Sequence, residues 1–255
     1  MILELNNVSK SFAGLDALSA VSIGVKAGEI KAVIGPNGAG KTTLFNVITG
    51  LFPPNNGQVL INGENITGLA SDKIARKGIA RTFQHPRLFE TLNLLENVMV
   101  GRHQQSKAEM FACGMRLPWA RREERDIHQD ALRHLDFVGL TKKSARHPSE
   151  LPLGELRYLE LARALATEPD LILLDEPAAG LNDKETDEFR DLLIKIRDAG
   201  TTLLVIEHHM KFVMEVSDSV AVLNFGTKIA DGRPDEIQNS PEVITAYLGS
   251  DDDDD

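Results

Sequence analysis

Apolar and polar positions follow two periods along this chain, and the places where the period changes divide it into elements. Near the start, Ile2-Leu3-Glu4-Leu5 and Val21-Ser22-Ile23-Gly24-Val25 alternate, so residues 2 to 34 are expected to be β-structure with a turn at Ala27-Gly28-Glu29. Three stretches are almost wholly apolar: Ile30 to Ile34, Leu171-Ile172-Leu173-Leu174 and Thr202-Leu203-Leu204-Val205-Ile206. Runs of this length bounded by turn residues read as strands buried on both faces of a parallel sheet. Between the first two come a turn at Pro53 to Gly57, a strand at Gln58 to Ile61, and a short helix that Ser71 caps and Gly78 ends. A strand then runs from Gly78 to Gln84.

From residue 85 to 150 the pattern becomes helical, at Leu94 to Met99 and from Arg121 to Val138, with breaks at Gly101, Gly114 and Pro118 and no convincing strand. We expect a helical subdomain inserted into an α/β core, with Trp119 as a packing anchor and Arg121 to Arg125, of mixed sign, as a solvated face. Farther on, Asn182 with Glu185 three residues later forms a capping box, and Gly200 ends that helix. Ser219 to Leu223 and Lys228 to Ala230 read as a closing hairpin, followed by a helical tail ending near Tyr247.

The punctuation after the first apolar run carries chemistry. Gly35-Pro36-Asn37-Gly38-Ala39-Gly40-Lys41-Thr42 fits the phosphate-loop pattern, entered from a buried strand and left by the apolar segment Thr43 to Ile48. Glycines let backbone N–H groups close around phosphate oxygens, and the helix that follows turns its positive end to the same anion. Lys41 then neutralises phosphates and Thr42 holds Mg²⁺ through its hydroxyl. The run Leu171 to Leu174 delivers Asp175 and Glu176 to the carboxyl end of a strand, where ligands bind in α/β folds. One carboxylate beside a metal and a second polarising a water are the minimum for hydrolysing a γ-phosphate, so Asp175 is the metal-side group and Glu176 the candidate base. Phe12 lies in the turn-like segment Ser9 to Gly14, where a purine can stack on it or the core can claim it. Past the third run, His208 can reach a γ-phosphate or stand as a surface histidine; with His209 and no third ligand at suitable spacing, the pair does not make a zinc site.

Composition narrows the classes without changing this picture. With 255 residues, 42% hydrophobic and 26% charged, the chain has an ordinary globular make-up. No apolar run approaches the roughly 18 residues of a membrane span, and the start lacks a signal-peptide pattern, so a cytoplasmic location is expected. Cys113, the single cysteine, excludes an internal disulfide and reads as a buried or half-buried hydrophobe. Half of the net charge of −10 sits in Asp251 to Asp255, a disordered acidic tail or tag; the balance argues against nucleic acid as a partner.

Taken together, these motifs closely resemble those of ABC transporter ATP-binding subunits over residues 1 to about 249. The segments Ala80 to Phe89, Glu176 to Asn182 and Ile206 to Met210 are similar to those of the branched-chain amino acid importer type, and the insert near 101 to 128 suits the longer of its two ATPases. The resemblance implies one ABC ATPase domain over 1–250: residues 1–84 and 151–250 form a P-loop NTPase core of mostly parallel sheet with an N-terminal antiparallel β subdomain, and 85–150 form the α-helical subdomain. It also implies that Asn37, Gly38, Ala39, Gly40, Lys41, Thr42 and Thr43 hold ATP, that Phe12 stacks on adenine, and that Gln84 senses Mg²⁺ and the attacking water. His208 then contacts the γ-phosphate, making Glu176, His208, Gln84 and Lys41 the catalytic set and Thr42, Gln84 and Asp175 the metal set. Two subunits close head to tail, with Ala179, Gly180, Leu181 and Asn182 as the D-loop. Two membrane permease subunits dock near Gln84 to Phe89, and a periplasmic or extracellular solute-binding protein acts through them. The chain is then peripheral on the cytoplasmic membrane face.

One departure from the family stands out. The signature Leu-Ser-Gly-Gly-Gln is replaced by Leu151-Pro152-Leu153-Gly154-Glu155. Pro152 has neither a hydroxyl nor an N–H, and Leu153 obstructs the close approach that glycine permits. A phosphate facing this segment loses about two donors, at roughly 1.5–3 kcal/mol each, enough to slow that site by a decade or more. We therefore expect an asymmetric heterodimer with a second ATPase, a homodimer being the alternative. An ABC protein acting on ribosomes or DNA needs paired cassettes or a long coiled coil, which the chain lacks. A nucleotide-gated regulatory module with little hydrolysis has only the altered signature in its favour.

Overall fold

The computed structural model describes residues 1–103 and 118–248. The expectations for Cys113, Gly114 and the acidic run Asp251 to Asp255 lie outside these residues, as does the side chain of Trp119. Two compact units emerge: Met1–Gln84 with Asp170–Ala179 and the chain from Thr186 onward, and His85–Pro169 with Gly180–Glu185.

The first unit has two sheets. Strands β1 (Leu3–Phe12), β2 (Leu15–Val25), β4 (Asn56–Ile61) and β5 (Glu64–Asn65) form an antiparallel sheet in the order β2-β1-β4-β5. The other has the order β10-β9-β3-β8-β7-β6, from β3 (Ile30–Ile34), β6 (Ile79–Arg81), β7 (Leu171–Asp175), β8 (Thr202–Ile206), β9 (Ser219–Asn224) and β10 (Thr227–Gly232). Only the β9–β10 pair of this sheet is antiparallel, so the C-terminal hairpin extends a parallel sheet. Every residue of β3, β7 and β8 is buried, as their apolar runs require. Alternation survives inside the burial. Val33, Ala221 and Leu223 join the core that contains the antiparallel sheet and helix α1 (Lys41–Ile48). Ala32, Ile34, Val220 and Val222 face a second cluster, under helices that follow β8.

Helix α2 (Ser71–Ala75) is capped by the extended Ala70, with Ser71 as its first helical residue and no side-chain bond at the cap. The expected Ser71 cap is therefore displaced by one residue. Strand β6 ends at Arg81, so Gln84 lies three residues past the strand it was expected to finish.

In the second unit, α3 (Leu94–His103), α4 (Pro118–Phe137) and α5 (Leu153–Leu165) pack together. This corrects the expected boundary at 150: helix α5 belongs with the helical unit, because it packs against α3 and α4. Gly101 is also not a break. It continues α3, where an added Cβ would overlap the Arg163 carbonyl oxygen, so glycine serves close helix approach. Asn97 is fully buried; its amide donates to the carbonyls of Phe89, Leu92 and Asn93 and its oxygen accepts from the Phe89 N–H, fixing the turn before α3. Among the described residues, the other α-helices are α6 (Asp183–Asp198), with the Asn182–Glu185 capping box formed in both directions at 3.0 Å, α7 (Met210–Val216), α8 (Pro234–Gln238) and α9 (Pro241–Leu248).

Candidate nucleotide site

Parallel strands in register end together. Val33 pairs with Ile206 and Ile206 with Asp175, so the segments leaving β3, β7 and β8 emerge at one edge of the sheet. The phosphate loop leaves β3 there. Gly40 adopts φ 99° at the N-cap of α1, and a Cβ on it would overlap the Ala17 carbonyl of β2; the loop can therefore lie against β2 only with glycine at this position. The turn of the β9–β10 hairpin supports it from another side, the Gly226 N–H donating to the Ala39 carbonyl at 3.1 Å. Asn37, Gly38 and Thr42 are exposed, Thr43 is half-buried and Ala39 is buried.

Lys41 is buried, its Nζ donating to the carbonyls of Gly35 at 2.6 Å and Pro36 at 2.8 Å. Burial pulls its pKa below the ordinary lysine value of 10.5, and the negative charges of Glu176 and Asp175 oppose that fall. Asp175 ends β7 almost fully buried and accepts from Arg81 at 2.9 Å. The same guanidinium donates to Asn46 of α1 at 2.7 Å, tying the helix after the phosphate loop to the strand that leads to Gln84.

Glu176 takes a left-handed backbone, φ 45°, uncommon without glycine. Its Oε2 accepts from the Gln84 amide at 2.8 Å, and its Oε1 lies 3.7 Å from His208 Nδ1. Gln84, Glu176 and His208, separated widely in sequence, thus stand side by side. The His208 side chain is 60% exposed, open to a ligand from solvent.

Phe12 is the last residue of β1 rather than part of a loop, correcting the turn-like placement, because the tight turn at Ala13-Gly14, both at positive φ, lies just beyond it. The residue is 44% exposed, and its ring meets that of Phe52 edge to face at 5.2 Å, with Lys10 Nζ 5.2 Å from its centroid. The β1–β2 hairpin brings it toward the loop, since β2 is the strand on which Gly40 rests.

The altered signature lies in the helical unit. Pro152 is the extended N-cap of α5 and offers no side-chain bond to the first amides. Leu153 is 38% exposed and sits against Gly180, where a Cβ would crowd its Cδ2. Glu155 is paired with Lys143, Nζ to Oε1 2.5 Å. Of the D-loop residues, Ala179 falls in the first unit and Gly180, Leu181 and Asn182 in the second.

Sequence reasoning missed Arg81, Lys143, Glu207 and Tyr247. Arg81 and Glu207 had a signal, a charge inside or at the end of an otherwise apolar strand. Tyr247 had none: burial raises its phenol pKa to about 12, opposed by the Gly35 backbone, which places α9 against the first glycine of the phosphate loop.

Residues 18–179 match the family described as "ABC transporter", and residues 227–253 match "Branched-chain amino acid ATP-binding cassette transporter". The chain is 44% identical over 249 residues to the high-affinity branched-chain amino acid transport ATP-binding protein LivG of Salmonella typhimurium, covering 97% of this chain and 98% of that one. Among solved structures, the ADP conformation of an ATP-binding cassette of an ABC transporter has a TM-score of 0.85 at 32% identity, covering 97% of this chain and 98% of that chain. A dimeric post-hydrolysis cassette bound to ADP and Pi has a TM-score of 0.76 at 26% identity, covering 91% and 98%.

Proposed function

This chain belongs to the ABC transporter family of ATPases, and from that premise we propose that it hydrolyses ATP to drive uptake of branched-chain amino acids or a related small polar solute through membrane permease subunits. The observation that carries the reading is the cluster of Lys41, Asp175, Glu176, Gln84 and His208 around one edge of the parallel sheet. The loop of residues 37 to 43 cradles the phosphates of ATP, and Phe12 stacks on the base. The Thr42 hydroxyl, the Asp175 carboxylate and the Gln84 amide oxygen form an all-oxygen donor set, which suits Mg²⁺. When bound, the cation offsets phosphate charge. Glu176 polarises the attacking water, oriented by its hydrogen bond from Gln84, and His208 contacts the γ-phosphate.

No described helix is long and apolar enough to cross a membrane, and the reading places the chain on the cytoplasmic face, docked near Gln84 to Phe89. Its working assembly is a heterodimer with a second ATPase bearing an intact signature. Pull-down from gently solubilised native membranes is expected to recover two polytopic subunits and that second ATPase, and Glu176→Gln is expected to abolish phosphate release by the complex. Recovery of soluble partners alone would favour a nucleotide-gated regulatory module. Robust ATPase by the isolated chain, lost on Glu176→Gln, would count against the heterodimer.

A further inference from the structure

A charged residue follows β8 where the strand itself needs none. Glu207 is 1% exposed, and burying a carboxylate is costly unless hydrogen bonds satisfy it. The backbone supplies them: Oε1 accepts the Ala178 N–H at 2.9 Å, and Oε2 accepts those of His208 at 2.9 Å and His209 at 3.2 Å. These amides belong to two different loops. Ala178 lies two residues after Glu176, in the turn leaving β7; His208 and His209 leave β8. One side chain therefore fastens together the segments that carry Glu176 and His208.

The turn at Glu176 needs such a fastening. Its left-handed backbone is disfavoured for a residue with a Cβ, so the surroundings must hold it. The Glu176 N–H donates to the Ile206 carbonyl at 2.9 Å, and the Ala178 N–H donates to Glu207, which makes two ties from one turn to consecutive residues at the end of β8. We infer that Glu207 is a positioning residue for ATP hydrolysis, setting the spacing between Glu176 and His208 through their backbones. This rests on the proposed roles of those two residues. A glutamine at 207 keeps one acceptor oxygen but turns an NH₂ group toward an N–H, so one of the two loops is released whichever way the amide faces.

The experiment compares parent, Glu207→Gln, His208→Ala and the double variant in the full chain assembled with its partner subunits. Glu207→Gln is expected to lower kcat by about tenfold or more while KM for ATP changes by less than about threefold. In the His208→Ala background the same substitution is expected to cost less than about threefold further, because the spacing it sets has lost its purpose. Equal factors in both backgrounds, or a loss confined to KM, overturn the inference. Glu176→Gln and His208→Ala singly test the underlying site: if neither slows turnover, that reading fails instead. Independently of activity, hydrogen exchange on the parent chain is expected to show the Ala178, His208 and His209 amides opening together. Separate opening of the two loops also overturns it.

Discussion

Lys41 is caught between two environments. The proposed function asks its ammonium to meet phosphate, yet it lies buried on the loop's own carbonyls, and burial pulls its pKa down. Below the lowered folded value, both folded and unfolded chains carry the proton and the burial penalty is fully present. Between that value and the ordinary 10.5, the unfolded chain binds more protons, so folded stability rises with pH. Denaturant unfolding without nucleotide is expected to show the parent gaining on Lys41→Met as pH climbs through this window, with a flat difference below it. A difference that shrank instead would mean that the carboxylates, rather than burial, dominate the environment of this lysine. Phe12 shows the complementary limit of residue-level reading: its exposure agrees with base stacking, but its edge contact with Phe52 belongs to packing that no local pattern encodes.

At the scale of elements, periodicity served well where one face or both faces of an element are buried. The strands β3, β7 and β8 and the helices α3 and α4 lie where their patterns put them. Misreadings cluster at glycines and caps, whose local signal is ambiguous. Gly101 looks like a helix stop in sequence but is a contact point between α3 and α5. This makes a test of sign. In an exposed helix, Gly→Ala stabilises by about 1 kcal/mol through backbone entropy. Gly101→Ala is instead expected to destabilise by roughly 1–3 kcal/mol, because its Cβ must push the Arg163 backbone away. Chemical denaturation decides it, and any gain in stability would show that the two helices separate freely.

For the whole molecule, the altered signature makes assembly the central question. Pro152 leaves the first amides of α5 without a side-chain partner, and Leu153 covers Gly180. The double substitution Pro152→Ser and Leu153→Gly is expected to raise ATPase of the isolated chain by about tenfold or more, equivalent to about 1.4 kcal/mol in the barrier. An unchanged rate would remove the argument for asymmetry. Which segments are buried, where the phosphate loop begins, and that Asp175 and Glu176 follow an apolar strand run could all be read along the chain, because burial periodicity and glycine spacing are local properties. That Arg81 holds Asp175, that Gln84 bonds Glu176, and that Glu207 joins the Ala178 and His208 turns emerges with the folded chain alone. Those pairings depend on which strands lie side by side and in what register, and they form between residues far apart in sequence, whose attraction no local pattern records.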